Sequence, residues 1–334
     1  PQRWLVLGGF LLALLPAIAG AQTGAASITG LVADETGGAL PGVTVTATNQ
    51  GTLRTPWLRL WEPVGRDAGA PMRMAPLRTG AHGDATYRIP TDRRGVVELG
   101  PLRVERTDHF GLVTSGSFIG ESHETLVFPR RCTIPFPRLE SVGPIGQQLR
   151  LRSFATSGNE FHSQREYVPG DDLRRINWKA SARTSELIVR EIAREGVTHC
   201  TIALDLDERS YADDAFELAV SMAASVTAAS AHASVPLRTV AHGTDLHGPD
   251  SPARTMRWLA LATPLAAPSH LDLGAHGDGL SLLVIIGGSN STEFIASVRH
   301  SAGPDDIVVT LQADESDIAE LEQFASLWSK LVDG

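Results

Sequence analysis

The C-terminal half of the chain alternates between continuous apolar runs and stretches of helical periodicity. Residues 198–207 form an apolar run that ends in carboxylates, which is typical of a strand buried in a parallel sheet. Later helices are predicted over residues 213–233, 253–262, 292–300 and 317–331, and later strands over residues 236–241, 280–286 and 307–312. This alternation predicts a doubly wound α/β domain over residues 196–334.

The first half shows the shorter period of β-structure. Apolar and polar residues alternate over residues 27–32 and 43–48, on either side of a Gly- and Pro-rich turn. This pattern predicts a hairpin with no third strand within residues 22–52. Closely spaced strand signals follow at residues 72–76, 85–89, 96–99, 102–106 and 125–128. They predict an antiparallel β-sandwich over residues 55–135, so the predicted fold class is a multidomain α+β protein in which this sandwich precedes the α/β domain.

The first 21 residues resemble an export or membrane segment. Arg3 precedes an apolar run that ends near Leu15, and small residues follow it up to Ala21. The run is shorter than the roughly 20 residues that cross a bilayer, which favours a signal peptide cleaved after Ala19 or Ala21 over an uncleaved anchor. Membrane association is therefore expected.

Charge and cysteine content narrow the partner classes. The 334 residues carry a net charge of −9, and this argues against a nucleic-acid surface, which needs clustered Lys and Arg. The two cysteines, Cys132 and Cys200, are far apart in sequence and form no metal-ligand or disulfide framework.

Residues 160–195 are the most specific stretch of the chain. They contain seven cations and seven anions, a balance that favours internal ion pairing over a phosphate-binding patch. The residues Arg165, Tyr167, Gly170, Asp171, Arg175, Ile176, Trp178, Ala182 and Arg183 resemble the signature of the DUF58 family. The candidate network consists of Arg165, Glu166, Tyr167, Gly170, Asp171, Arg175, Trp178, Lys179 and Arg183.

The resemblance implies a membrane-anchored protein of the inner membrane, whose C-terminal domain is similar to von Willebrand factor type A domains. It also implies a partnership with a MoxR-type AAA+ ATPase. Residues 22–51 resemble the start of a carboxypeptidase-regulatory-like domain, with Gly30 and Gly42 at turn positions, and a fusion point is expected near residues 51–54. Residues 136–195 then form the signature region between the sandwich and the α/β domain.

Within the signature, a helix is predicted over residues 172–182, capped by Asp171 or Asp172. The β-branched run after Ser185 predicts a strand beside the first strand of the C-terminal sheet. Two roles suit the candidate network. It is either a structural keystone, in which arginines lock the carboxylates and Trp178, or a surface that docks a partner.

Asp205 and Asp207 are candidate magnesium ligands. In domains similar to von Willebrand factor A, a D-x-S-x-S motif after the first strand supplies a carboxylate and two hydroxyls, and oxygen ligands suit Mg²⁺. Here Asp207 and Arg209 stand at the two hydroxyl positions. The sequence therefore favours a degenerate site that holds no metal.

Other chemistry has weaker support. Two clusters of His and Asp, at residues 242–250 and 270–278, lie in predicted loops without metal-ligand spacing, and the chain has neither a Walker motif nor a G-x-S-x-G elbow. The leading hypothesis is a non-catalytic interaction module at the membrane, acting with the ATPase in protein maturation or complex assembly. Its alternatives are a magnesium-dependent adhesion or sensing module through Asp205 and Asp207, and a hydrolase that uses the signature carboxylates.

Overall fold

The computed structural model divides the chain into two compact units, residues Pro1–Val127 and Phe128–Gly334. The described residues are 26–33, 42–65, 68–107, 112–156, 163–167, 176–184, 187–191, 196–212, 214–266, 270–274, 279–313 and 320–334. The predicted signal peptide or anchor at residues 1–21 lies outside them. Among the helices of the described ranges, none combines the length and apolar character that a membrane crossing needs.

The described part of the first unit is built from strands. They are β1 (Ala26–Ala33), β2 (Gly42–Asn49), β3 (Leu58–Val64), β4 (Ala68–Met74), β5 (His82–Arg88), β6 (Gly95–Leu99), β7 (Leu102–Thr107), β8 (Thr114–Ile119) and β9 (His123–Val127). The predicted hairpin is present, because β1 pairs antiparallel with β2. Gly30 lies inside β1 instead of at a turn, and Gly42 is the first residue of β2.

The hairpin has a third strand that the sequence did not reveal. β2 pairs antiparallel with β5, and Val45 lies opposite Ala85. The partner comes from beyond the expected fusion point, so the pairing could not be inferred from residues 22–52 alone. Whether residues 1–52 belong natively to the rest of the chain stays a prediction.

A second antiparallel sheet has the order β8-β7-β3-β6-β9. β7 and β6 pair with successive parts of one edge of β3, and β4 pairs with the opposite edge. One apolar cluster joins the two sheets of this unit. It includes Val45 and Tyr87 from the first sheet and Leu60, Met72 and Val104 from the second. Alternation along β3 explains this packing, since Leu58, Leu60 and Val64 are buried while the residues between them are exposed or half-buried.

The second unit contains all the helices of the described residues. Its elements are α1 (Pro144–Thr156), β10 (Ser163–Glu166), α2 (Trp178–Thr184), β11 (Ile188–Glu191), β12 (His199–Leu204), α3 (Ala215–His232), β13 (Leu237–Ala241), β14 (Thr244–Leu246), α4 (Ser251–Leu261), β15 (Ser281–Gly288), α5 (Thr292–His300), β16 (Asp306–Ala313) and α6 (Leu321–Asp333). A mixed α/β architecture with several antiparallel sheets is thus present, as the sequence predicted for the coarse fold class.

The main sheet of this unit has the order β14-β13-β12-β15-β16. Neighbouring strands from β13 to β16 along this order are parallel, and β14 adds an antiparallel edge. Every residue of β15 is buried, as expected for a strand covered on both faces. The predicted strands and helices of residues 198–331 are all present, and α5 spans the predicted residues 292–300.

The signature region differs from the prediction at three points. Its helix begins at Trp178, because Ile176 forms an isolated β-bridge and Asn177 precedes the helix. The strand after Ser185 exists as β11, but it pairs antiparallel with β10 and not with the first strand of the main sheet. Helix α1 was not predicted, although Pro144 at its start and buried Ile145 and Leu149 give it a helical signal.

Candidate functional site

The main sheet has a topological switch point between β12 and β15. From β12 the chain turns to β13 on one side, and it later returns to β15 on the other. The carboxyl ends of these two neighbouring strands therefore open onto one crevice, where open α/β sheets commonly bind ligands. Asp205 and Asp207 directly follow β12, and Ser291 follows β15.

Asp205 is held inside this crevice by hydrogen bonds. Asp205 is 2% exposed. Its Oδ2 accepts a hydrogen bond from the Ser291 hydroxyl at 2.6 Å, and its Oδ1 accepts one from the Asp207 N–H at 3.0 Å. The Ser291 hydroxyl oxygen in turn accepts a bond from the Gly288 N–H at 2.8 Å. Both carboxylate oxygens are thus engaged by donors of the protein itself.

Asp207 is bound by an arginine. The guanidinium of Arg209 donates to both oxygens, from Nε to Oδ1 at 3.0 Å and from Nη2 to Oδ2 at 2.8 Å, in a bidentate pair. These hydrogen bonds lower the pKa of Asp207 and raise that of Arg209, although burial opposes the shift at Asp207. The Asp207 side chain is 3% exposed and that of Arg209 is 71% exposed, so the arginine covers the carboxylate from the solvent side.

The crevice leaves little room around these groups. A Cβ atom added to Gly288 would lie 2.0 Å from the Ser210 carbonyl oxygen, and one added to Gly287 would lie 2.4 Å from the Ser291 hydroxyl. The Tyr211 hydroxyl donates to the Asp205 carbonyl oxygen at 2.7 Å, and burial raises its pKa well above the usual value. Close packing of this kind fixes the loop after β12 against the loop after β15.

Magnesium does not fit this arrangement as it stands. The cation of Arg209 covers Asp207, and the Ser291 hydroxyl already donates to Asp205. Within the described ranges, no group of three or more His, Cys, Asp or Glu side chains could hold a metal ion. Ser291 was missed in the sequence. The Gly-Gly-Ser-Asn-Ser run after a buried strand was its signal, but only the sheet order brings it to Asp205.

The signature region forms a second candidate site around Leu187 and Ile188. The Leu187 carbonyl accepts a hydrogen bond from the Tyr167 N–H at 2.7 Å, and the Ile188 carbonyl accepts one from the Asn177 N–H at 2.8 Å. The Ile188 N–H donates to the Ser181 hydroxyl at 2.8 Å. These bonds tie β10, α2 and β11 together.

Two apolar side chains next to these hydrogen-bonded residues face solvent. Trp178 is 66% exposed and Leu187 is 42% exposed, whereas Ile176 is 6% exposed. Lys179 lies beside Trp178 and is also exposed. We call Trp178, Lys179 and Leu187 the Trp178 surface.

The structure locates only part of the predicted network. Gly170, Asp171 and Arg175 lie outside the described residues, and Arg165, Glu166 and Arg183 are described by their backbone alone. Tyr167 is half-buried. The pairing of arginines with carboxylates stays a prediction, but the indole of Trp178 is not enclosed.

The first His and Asp cluster is held by ion pairs. Arg238 donates to both oxygens of Asp245, at 3.0 and 2.8 Å, and this contact lowers the pKa of that carboxyl. The His247 ring lies 3.4 Å from Asp245. In the second cluster, His276 and Asp278 lie outside the described residues.

Both candidate sites include residues of a segment that matches a known protein family. Residues 163–239 match the model of a family described as "Protein of unknown function DUF58". The resemblance to DUF58 is confirmed. The matched segment runs from β10 into β13, so it includes the Trp178 surface as well as Asp205, Asp207 and Arg209.

One curated protein is also similar to part of the chain. The chain is 25% identical over 165 residues to the uncharacterized protein YeaD of Bacillus subtilis (strain 168). That alignment covers 49% of this chain and 40% of YeaD, so the chain spans less than half of its relative. Among solved structures, a β-glucosidase involved in saponin metabolism from intestinal bacteria is 14% identical. It covers 28% of this chain and 15% of its own, and its TM-score of 0.16 carries no argument.

Proposed function

We propose that this protein is a non-catalytic interaction module that docks a MoxR-type AAA+ ATPase through the Trp178 surface. In this proposal it acts at the inner membrane, in protein maturation or complex assembly. The carrying observation is the exposure of Trp178 and Leu187 on a segment that the DUF58 match includes. The assignment of the partner rests on the family resemblance.

The chemistry of this surface suits protein binding. Tryptophan is the residue type most enriched at the energetic centres of protein interfaces, because it buries a large area with few rotamers. Here Trp178 and Leu187 are both exposed, and they are the sequence neighbours of Asn177 and Ile188, whose backbones are hydrogen-bonded to each other; the cation Lys179 follows Trp178. The hydrogen bonds through Leu187 and Ile188 fix the backbone beneath, so little order would have to be gained on docking.

The C-terminal unit supports a scaffold role for the parallel sheet. Its strand order and the position of Asp205 after β12 agree with a domain similar to von Willebrand factor A, which we include in the proposal. Open α/β sheets commonly bind ligands at the carboxyl ends of their strands. Arg209 there replaces the charge that a divalent cation would supply to Asp207.

Titration calorimetry of the full chain against the MoxR-type ATPase of the same organism tests this proposal. Trp178→Ala and Leu187→Ala should each weaken binding by about tenfold or more, as expected for central interface residues. Leu261→Ala is a matched control, because Leu261 is 51% exposed at the end of α4. Unchanged binding by the two signature variants would remove the docking surface, and no binding by the folded unsubstituted protein would remove the partner.

The magnesium alternative has a separate test. Calorimetry with MgCl₂ should give no heat of binding for the unsubstituted protein, because Arg209 is bound to both oxygens of Asp207. Arg209→Ser removes the guanidinium that covers Asp207 and tests whether this arginine alone prevents Mg²⁺ binding. Asp205→Ala is the control, because it removes a candidate ligand. Tight Mg²⁺ binding by the unsubstituted protein, lost in Asp205→Ala, would favour the adhesion or sensing function.

The hydrolase alternative is tested by the signature carboxylates. Any hydrolytic activity found in the purified protein should survive the combined Asp171→Asn and Glu166→Gln changes if these residues are not catalytic. Loss of that activity in a variant that still folds would favour the enzyme.

A further inference from the structure

The solvent side of the second sheet in the first unit carries a row of large side chains. In register, Trp61 on β3 lies opposite Pro71 on β4 and opposite Arg103 on β7, and Arg103 lies opposite Phe118 on β8. Directly paired residues point to the same side of a sheet, so these four side chains form one row across four neighbouring strands. We call them the Trp61 row.

The row faces solvent. Trp61 is 42% exposed and Phe118 is 65% exposed, while Leu60 and Val104, which neighbour the row along β3 and β7, point into the core. Trp61, Pro71 and Phe118 place apolar groups on the outer side of the sheet, with Arg103 between Trp61 and Phe118. Exposed groups of this kind commonly mark interaction sites.

The position of the Trp61 indole is built into the sheet. A Cβ atom added to Gly69 would lie 2.3 Å from Cε2 of Trp61, so the indole rests on the backbone of β4 where only glycine leaves space. An aromatic ring held in this way loses little freedom when a partner covers it.

The same side of these four strands is cationic. The next row of paired residues contains Arg73, Arg59 and Glu105, and Arg103 binds Glu105 at 2.7 Å. Three arginines therefore meet one glutamate on the solvent side of β4, β3, β7 and β8, in a chain whose net charge is −9. The cations on this side are arginines, whose guanidinium groups pair with carboxylates in a bidentate geometry.

We propose that this face binds an acidic segment of a partner polypeptide, whose carboxylates pair with Arg59 and Arg73 and whose apolar side chains cover Trp61 and Phe118. This interaction is separate from the proposed docking through Trp178, because the two surfaces lie in different units of the chain. Charge complementarity and the combination of Trp with Arg favour a polypeptide over an anionic lipid surface, which Lys would serve as well.

Fluorescence anisotropy of the full chain tests the proposal with a short labelled peptide built from Glu, Leu and Ser. A second probe, with Lys in place of each Glu, is the charge-reversed control. The acidic probe should bind, should bind more weakly at higher salt, and should lose about tenfold in affinity with Trp61→Ala or with Phe118→Ala. Val96→Ala is the matched control, because Val96 is 53% exposed on the same sheet outside the row.

Charge reversal gives the sharper result. The combined change Arg59→Glu and Arg73→Glu should abolish binding of the acidic probe and give binding of the lysine probe. Circular dichroism on every variant shows that the fold is kept. Equal binding of both probes, or binding that the Trp61 and Phe118 variants retain, would overturn the proposal. Selective capture by phosphatidylserine vesicles, lost in the same variants without any binding of the acidic peptide, would assign the face to a membrane instead.

Discussion

The crevice after β12 and the Trp178 surface lie in the same unit, but the side chains of the crevice are hydrogen-bonded within the protein and those of the Trp178 surface face solvent. In the crevice, Asp205 and Asp207 are buried, and each carboxylate is bound by donors of the chain itself. At the Trp178 surface the backbone is hydrogen-bonded, but Trp178 and Leu187 remain exposed. Charged residues that suggest a site in the sequence can thus be hydrogen-bonded within the fold, whereas exposed apolar side chains such as Trp178 are the ones on which we base the proposed docking.

The largest expected effect concerns the satisfied carboxylate. Asp205→Ala should lower the free energy of unfolding by about 2 to 4 kcal/mol, because the Ser291 hydroxyl and the Asp207 N–H lose their acceptor in a buried site. Urea denaturation measures the change. Asp245→Ala is the control, since its exposed ion pair is worth about 1 kcal/mol or less. A neutral or stabilising Asp205→Ala change would mean that the crevice is strained for binding.

The Asp207 to Arg209 pair should appear in the pH dependence of stability. Since Arg209 lowers the pKa of Asp207 below its ordinary value of 3.8, the pair stabilises the protein above that pH and the contribution is lost as pH falls through the lowered pKa. The melting temperature of the unsubstituted protein should exceed that of Arg209→Ala near neutral pH. This difference in melting temperature should become smaller in acid. Arg254→Ala removes another surface arginine, and its difference in melting temperature from the unsubstituted protein should not change in this way.

Glu62 should behave in the opposite way. Burial raises the pKa of Glu62, and the nearby Tyr87 hydroxyl and the charge of His123 offset this rise only in part. A raised folded pKa favours the folded state below the ordinary value of 4.5 and loses that advantage as pH rises through the folded value. Glu62→Gln should therefore raise the melting temperature at neutral pH, by an amount that disappears below pH 4.5. A variant that is less stable at neutral pH would show that the charged carboxylate is well solvated.

The smallest effect on stability is expected at the Trp178 surface. Trp178→Ala should change the free energy of unfolding by about 0.5 kcal/mol or less, because the side chain is 66% exposed. Thermal and urea denaturation measure this. Buried Ile176→Ala, two residues earlier, should cost about 2 kcal/mol or more and gives the contrast. A large loss in Trp178→Ala would support the structural keystone instead of docking.

Local patterns predicted much of the fold. The strand over residues 198–207, the long helix α3 and helix α5 follow from apolar runs and helical periodicity. Strands β3 and β8 were missed. Pro63 weakens the strand signal of β3, and the Ser- and Gly-containing sequence of β8 is typical of a turn.

Long-range pairing was less accessible to the sequence. The start of α2 was misplaced because Asn177 donates to the carbonyl of Ile188, a contact that holds the chain out of a helix at this point. Strand β11 was found, but its partner β10 was not, since periodicity shows which side of a strand is apolar and not which strand lies beside it.

The sequence by itself determined the strand and helix content of residues 198–331, the resemblance to DUF58 and the weakness of the magnesium motif. Each of these depends on residue types at short spacing, which can be read directly from the sequence. The tertiary structure decided that Ser291 reaches Asp205, that Arg209 closes over Asp207, and that Trp178 and the Trp61 row face solvent. These depend on sheet order and strand register, in which residues far apart in the chain compete for the same neighbours.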